Sequence, residues 1–178
     1  FFEVLLIASY VLMVHGQGAE RFRVGLHYVV LNLAASALFL IGVALLYAKT
    51  GTLNLADLGL RVPRVEGPDA VVVQAAAWLL LVVFGFKAAL LPLSLWLPAT
   101  YAAACAPVAA LFAIMTRVGV YAIWRVHGVV FGADAGDSAY TVEALLLPLA
   151  LGTSVLGVLG ALAAHTLERL VAWLTVAS

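Results

Sequence analysis

The sequence has 178 residues; 66% of them are apolar, only 10% are charged, and nine basic and nine acidic side chains cancel. A soluble domain averages roughly 45–50% apolar and about 25% charged residues, so the composition excludes an ordinary water-soluble domain. The neutral balance indicates no nucleic-acid partner, and a single cysteine excludes an internal disulfide.

Apolar runs of the length needed to cross a membrane follow one another along the chain. A spanning helix needs about 20 mostly apolar residues. The predicted spans cover 1–14, 26–49, 70–91, 107–130 and 142–164, and a sixth begins near 170. A transmembrane β-barrel would instead show short segments of alternating polarity. The sequence therefore predicts an all-α, polytopic transmembrane helix bundle. Because both ends fall inside apolar runs, we expect a fragment of a longer polypeptide.

The connections between the predicted spans carry most of the remaining charges. Residues 15–22 form a polar link, and residues 50–69 form a longer one in which 54–60 can make a short helix on the membrane surface. Basic residues are divided between the two sides so evenly that their count does not decide the orientation. One side holds Arg21, Arg23 and Arg169, and the other holds Lys49, Arg61, Arg64 and Arg125.

Of the ionisable residues in the predicted spans, three are informative: Glu3, Lys87 and Arg117. A charge at the centre of a bilayer costs about 2.5–3.5 kcal/mol or more, so such residues usually face a cavity or a partner. These three are the candidate functional residues.

Lys87 stands five residues before Pro92, deep in an apolar run. A proline removes one backbone donor and clashes with the carbonyl four residues earlier, which belongs to Ala88. We therefore expect the third helix to break between Lys87 and Trp96, as helices do around the ion sites of transporters. Burial lowers the pKa of a lysine and a nearby carboxylate raises it, so a lysine under both influences can load and unload a proton near neutral pH.

Each of the three residues also has a plainer interpretation. Lys87 can extend its stem toward the membrane interface. Glu3 can be a carboxylate at a helix end. Arg117 is always protonated, so it is a poor proton shuttle and can serve as a fixed charge or as part of a structural ion pair.

No motif of enzyme chemistry is found in the sequence. It contains no glycine-rich phosphate loop, no zinc-ligand spacing and no serine nucleophile elbow. We expect no cofactor and no metal, and the residues give an enzymatic reading little support.

Several stretches resemble, in order, the D subunit of the Mrp-type multisubunit cation/proton antiporters. They are Phe2–Tyr10, Leu31–Asn32, Ser36–Val43, Thr50–Leu58, Phe86–Leu93, Trp96–Pro98, Ala106–Pro107, Arg117–Ala122 and Leu167–Trp173. The lysine and proline cluster with Trp96-Leu97-Pro98 is similar to the wider group that includes the antiporter-like subunits of respiratory complex I. The Glu3 stretch and the Thr50 stretch point to the Mrp branch.

The resemblance implies that Glu3 and Lys87 correspond to the paired glutamate and lysine of the family. It also implies inverted five-helix repeats, with residues 1–131 in the first repeat and 142–178 at the start of the second. Arg117 departs from the pattern, because the family usually has a second lysine there. This departure puts a simple proton relay through position 117 in doubt.

The function implied is that of a proton-translocating subunit of a monovalent cation (Na⁺)/H⁺ antiporter in a bacterial inner membrane, with the loop carrying Arg21 in the cytoplasm. The expected partners are other subunits of the complex, the lipid bilayer, protons and monovalent cations. One alternative is a proton-pumping subunit of complex I or of a membrane hydrogenase, which would be a redox-driven translocase. Another is a scaffold subunit that transports nothing. The sequence leaves the choice among Na⁺, K⁺ and Li⁺ open.

Overall fold

The structure, a computed structural model, describes the backbone of residues 2–15 and 18–178, without the side chains of Phe2, Glu3, Val14 and Glu20. All its regular elements within these ranges are helical. The α-helices are α1 (Phe2–Val14), α2 (Ala19–Thr50), α3 (Leu55–Arg61), α4 (Pro68–Lys87), α5 (Trp96–Ala103), α6 (Ala106–Val130), α7 (Glu143–Leu162) and α8 (Leu167–Ala177). Short 3-10 turns cover Val62–Arg64, Leu93–Leu95 and Gly136–Ser138.

Four helical segments of the described chain are long and apolar enough to cross a membrane. They are Arg21–Thr50, Pro68–Lys87, Ala106–Val130 and Gly136–Leu162. The predicted all-α bundle is confirmed, and so is the break between Lys87 and Trp96. The polar link predicted for residues 15–22 is wrong in extent, because α2 already begins at Ala19 and contains Arg21 and Arg23. The Arg21 side chain donates to the Ala103 carbonyl oxygen at 2.8 Å, which ties the start of α2 to the end of α5.

The short helix predicted for residues 54–60 is present as α3, which begins after a capping asparagine. The Asn54 side chain accepts hydrogen bonds from the backbone N–H groups of Ala56 and Asp57, as helix-capping residues do. One turn later, Arg61 Nε donates to Asp57 Oδ1 at 2.9 Å. That hydrogen bond holds the pKa of the exposed Asp57 carboxyl below its ordinary value. The helix is thus capped at its N-terminus by Asn54 and carries an i,i+4 ion pair along its exposed side.

The helices bury two groups of apolar side chains. The first lies where α4 packs between α2 and α6, with α3 covering one end; the second lies among α1, α2, α5, α6 and α8. Lys87 lies between these two groups, because Ala88 packs against the first and Ala89 belongs to the second. The break after α4 is therefore enclosed by helices.

Gly119 allows α6 to approach the end of α4. A Cβ atom at position 119 would lie 2.6 Å from the Ala88 nitrogen and 2.8 Å from the Lys87 carbonyl carbon. These are backbone atoms, so no side-chain rotation can relieve the overlap. Gly128, two turns later in the same helix, has no such neighbour within 4 Å.

We predict that Gly119→Ala destabilises the protein whereas Gly128→Ala does not. Each change adds about 1 kcal/mol of helix propensity, but at position 119 overpacking costs ~1–3 kcal/mol and separates α6 from the break. Thermal unfolding of the two purified variants measures the difference. Equal melting temperatures would contradict the close approach of α6 to the break.

Candidate functional site

Lys87 is the last residue of α4, and its side chain is buried. Only 6% of the residue is exposed, and Nζ donates a hydrogen bond to Oδ1 of Asn32 at 3.0 Å. Asn32 lies in the middle of α2, is 1% exposed, and donates from Nδ2 to the Tyr28 carbonyl oxygen at 2.8 Å. The amide is thus held with its oxygen toward the lysine. The snorkelling interpretation of Lys87 does not fit this buried position.

The end of α4 supplies a second favourable feature for a cation. The carbonyl end of a helix carries partial negative charge, equivalent to roughly half an elementary charge. Lys87 lies in that last turn, and the chain then leaves the helix, with Ala89 at a φ of 55°. Lys87 thus stands at the end of a helix whose dipole favours positive charge there.

Aromatic side chains close the site on the α5 side. Trp96, the first residue of α5, donates from Nε1 to the Phe86 carbonyl oxygen at 3.1 Å, and its ring stacks on that of Phe86 at 5.1 Å. Tyr28 stacks on Phe112 at 5.3 Å and has its ring 5.7 Å from that of Trp96. The aromatic packing holds the two halves of the broken helix in a fixed relation.

Two cavities reach Lys87. The smaller, about 10 Å³, has room for about one water molecule, and Asn32, Tyr101 and Thr116 form part of its wall. The larger, about 540 Å³, lies among α2, α3, α4 and α6, and its walls are almost entirely apolar. Lys87 thus borders both a small space with a few polar side chains in its wall and a large, almost entirely apolar one.

Arg117 has different surroundings from Lys87. It is exposed, and its guanidinium donates to the carbonyl oxygen of Ser178 at 3.0 Å and to the hydroxyl of the same residue. The neighbouring residue Thr116 faces the small cavity beside Lys87. The structure therefore turns Arg117 toward the end of α8, while its helix borders the lysine site.

Glu3 belongs to α1, but its side chain lies outside the described part of the structure. Among the described side chains of α1, Leu6, Ser9 and Met13 are buried. Ser9 shares a 2.8 Å hydrogen bond with the hydroxyl of Tyr28, one turn before Asn32 in α2. The described part of α1 is thus connected to the helix that holds the lysine's partner. The pairing of Glu3 with Lys87 stays a prediction.

Asn32 is a site residue that the sequence does not single out as a candidate. Its signal is present, since it is a polar residue in the middle of an apolar span. However, Asn32 and Lys87 are 55 positions apart, and nothing local to either residue indicates that they meet. Only the packing of α2 against α4 brings them together.

Comparison with known proteins gives consistent matches. The family model described as NADH:quinone oxidoreductase/Mrp antiporter, TM, matches residues 1–178. The D subunit of a probable K⁺/H⁺ antiporter from Rhizobium meliloti is 47% identical over 96% of this chain and 32% of its own length. The D subunit of the Na⁺/H⁺ antiporter of Bacillus subtilis is 45% identical over 96% of this chain and 34% of its own.

Solved structures agree with this result. The Mrp complex from Dietzia sp. DQ12-45-1b contains a chain with a TM-score of 0.84 and 32% identity, covering 99% of this chain and 32% of that one. A chain of respiratory complex I from Thermus thermophilus has a TM-score of 0.75 and 34% identity, covering 99% of this chain and 36% of that one. The present chain spans about a third of the length of its curated relatives.

A double-mutant cycle tests the predicted pairing of Glu3 with Lys87. Removing one partner of a buried ion pair typically costs about 3–5 kcal/mol, because the other charge is left uncompensated. We expect Glu3→Gln and Lys87→Met each to lower the unfolding free energy, and the double variant to lose clearly less than the sum.

Lys49 provides the control for this cycle. It lies in the last turn of α2, bonded to Asp69 at 2.6 Å. The loss of unfolding free energy caused by Lys49→Met is expected to add to that caused by Glu3→Gln, because the effects of distant substitutions are usually additive. Additive losses for Glu3 and Lys87 would show that the two side chains do not meet.

Proposed function

Because this chain belongs to the NADH:quinone oxidoreductase/Mrp antiporter membrane family, we propose that it forms part of the proton-translocating D subunit of a multisubunit antiporter. That subunit would exchange protons for a monovalent cation, with Na⁺ as the first candidate, across a bacterial inner membrane. It would work with the other subunits of its complex, and the end of α2 that carries Arg21 would face the cytoplasm.

The observation that carries the proposal is the buried ammonium group of Lys87 at the helix break. A lysine that binds and releases a proton needs a partner that tolerates both of its states. Asn32, one acceptor of the ammonium group, has a neutral amide, so this hydrogen bond does not require the lysine to stay charged. An uncharged acceptor is therefore compatible with a transported proton.

Glu3 would supply the variable part of this site. A carboxylate near an ammonium group in a medium of low dielectric stabilises the protonated form, and withdrawal of the carboxylate removes that stabilisation. The energy of separating such a pair is large enough to couple proton binding to a conformational or electrostatic step elsewhere. In this proposal Lys87 carries the proton and Glu3 modulates how tightly it is held.

Arg117 would act as a fixed charge near the pathway. A guanidinium group holds its proton at all physiological pH values. Because the guanidinium group does not release its proton, Arg117 would retain its positive field in every step. This role agrees with its position next to Thr116, which borders the cavity at Lys87.

Two other functions remain alternatives with distinct expectations. A redox-driven subunit of complex I type would use the same lysine, and the fold resembles such subunits as well; the identity of 44–47% to the D subunits of antiporters favours the antiporter. A scaffold subunit would leave transport by its complex normal after neutralisation of Lys87.

We predict that Lys87→Arg abolishes cation-driven proton movement in vesicles that contain the complete complex. The charge and the capacity to donate a hydrogen bond to Asn32 persist, but the proton can no longer leave. Lys49→Arg is the matched control, because the bond of Lys49 to Asp69 at the end of α2 requires only a positive charge. Dye-quench assays measure both variants. Normal transport by Lys87→Arg would remove Lys87 from the role of carrier.

Arg117 should respond in the opposite way. Arg117→Lys preserves the charge and is expected to keep at least part of the transport, whereas Arg117→Ala removes the local field and is expected to disturb it. The same vesicle assay compares the two variants. Inactive Arg117→Lys together with active Lys87→Arg would mean that the carrier and the fixed charge are assigned the wrong way round.

A further inference from the structure

The unwound segment that follows Lys87 must satisfy its backbone donors without a helix. Residues 88–91 each carry one N–H group, whereas Pro92 has none. The first three of these groups bond back to the last turn of α4. Ala88 donates to Phe84 at 2.7 Å, Ala89 to Phe86 at 3.2 Å, and Leu90 to Gly85 at 2.8 Å.

The fourth donor leaves the broken helix. The N–H group of Leu91 donates to Oγ1 of Thr153, in the middle of α7, at 2.8 Å. The same Thr153 hydroxyl donates to the Leu149 carbonyl oxygen, one turn earlier in α7, at 2.6 Å. Thr153 is 5% exposed. Its hydroxyl is thus fixed by its own helix, with a lone pair directed at the break.

The neighbouring residues bring α7 and the break into close contact. A Cβ atom at Gly152 would lie 3.2 Å from a methyl carbon of the Leu91 side chain. The next helix is close as well, because a Cβ atom at Gly157 would lie 2.5 Å from the backbone nitrogen of Ala177 in α8. Movement of the segment after Lys87 therefore bears directly on α7, which is itself packed on α8.

We propose that Thr153 is a positioning residue for the proton site, whose hydroxyl holds the segment Ala88–Pro92 and thereby sets the position of Lys87 and links it to α7. This inference rests on the proposed function. The physical argument is that an unpaired donor in an apolar interior costs more free energy than a typical hydrogen bond contributes. A buried N–H group that loses its acceptor is left with an unfavourable desolvation that nothing offsets, so a segment without Thr153 would leave its present position to find another acceptor.

The consequence concerns the proton as well as the fold. Lys87 directly precedes the held segment, and its ammonium group depends on the end of α4 and on Asn32. A displaced segment changes the distance between the ammonium group and these partners, and with it the pH at which the proton is exchanged. If Thr153 were merely structural, its replacement would lower stability and leave that pH unchanged.

Thr153→Val tests the contact directly. Valine has nearly the same shape and carries a methyl group where threonine has its hydroxyl. Hydrogen exchange of the peptide that contains Leu91, in the assembled complex, is expected to be roughly tenfold faster, the factor for loss of one buried hydrogen bond. Thr153→Ser retains the hydroxyl and is expected to exchange like the wild type. If Thr153→Val fails to assemble, Thr153→Ala takes its place in the comparison.

Thr175→Val is the matched control. Thr175 in α8 also donates to the carbonyl oxygen four residues earlier, Val171, at 2.9 Å, but among the described residues its hydroxyl accepts no hydrogen bond from the backbone of another helix. This variant is expected to leave both the exchange at Leu91 and the transport unchanged. The variant therefore controls for the general effect of deleting a threonine hydroxyl from a helix of the bundle.

The pH profile of transport in vesicles completes the test. Thr153→Val is expected to shift the profile, and Thr153→Ser to restore it. Unchanged exchange at Leu91 would overturn the proposal, and so would faster exchange with a pH profile that coincides with the wild type. Absence of proton transport in the wild-type complex would contradict the proposed function, not the contact, which the exchange experiment decides alone.

Discussion

The interaction on which this structure depends is the hydrogen bond from the buried ammonium group of Lys87 to the Asn32 amide. A cation inside a membrane bundle is tolerated only with acceptors around it and lipid kept away. These conditions are met because α2, α5 and α6 enclose the end of α4. Gly119 lets α6 approach the backbone at that point. The break at Lys87 is thus part of the means of keeping a charge in an apolar interior.

The broken helix also explains why this position can be sensitive to its surroundings. A continuous helix would satisfy its backbone internally, whereas here the segment after Lys87 takes one acceptor from α7 and the last turn of α4 receives a hydrogen bond from Trp96. Elements far apart in the sequence therefore meet at the residue that carries the charge. Coupling between proton binding and the rest of a complex requires such shared contacts. A ligand shifts the equilibrium between two states only if it binds them with different affinity.

The sequence predicts the features that depend on neighbouring residues. Pro92 close to Lys87 indicates the break, and the long apolar runs indicate the helices, although α4 ends at Lys87 and not near position 91. It does not identify Asn32 or Thr153, because their roles depend on the packing of α2 and α7 on the break. The sequence also does not indicate where the Arg117 side chain points, because its contact with Ser178 depends on the position of α8. The pairing of Glu3 with Lys87 is still a prediction.

The most direct test of the central claim is whether the side chain of Lys87 changes its protonation while the complex works. Lysine labelled with ¹⁵N in the side chain distinguishes ammonium from amine by nuclear magnetic resonance, and the Lys87 signal can be assigned by its loss in Lys87→Arg. The account predicts that part of this signal converts to the amine form within the pH range in which the complex transports. A signal that remains ammonium throughout that range, in a transporting complex, would contradict it.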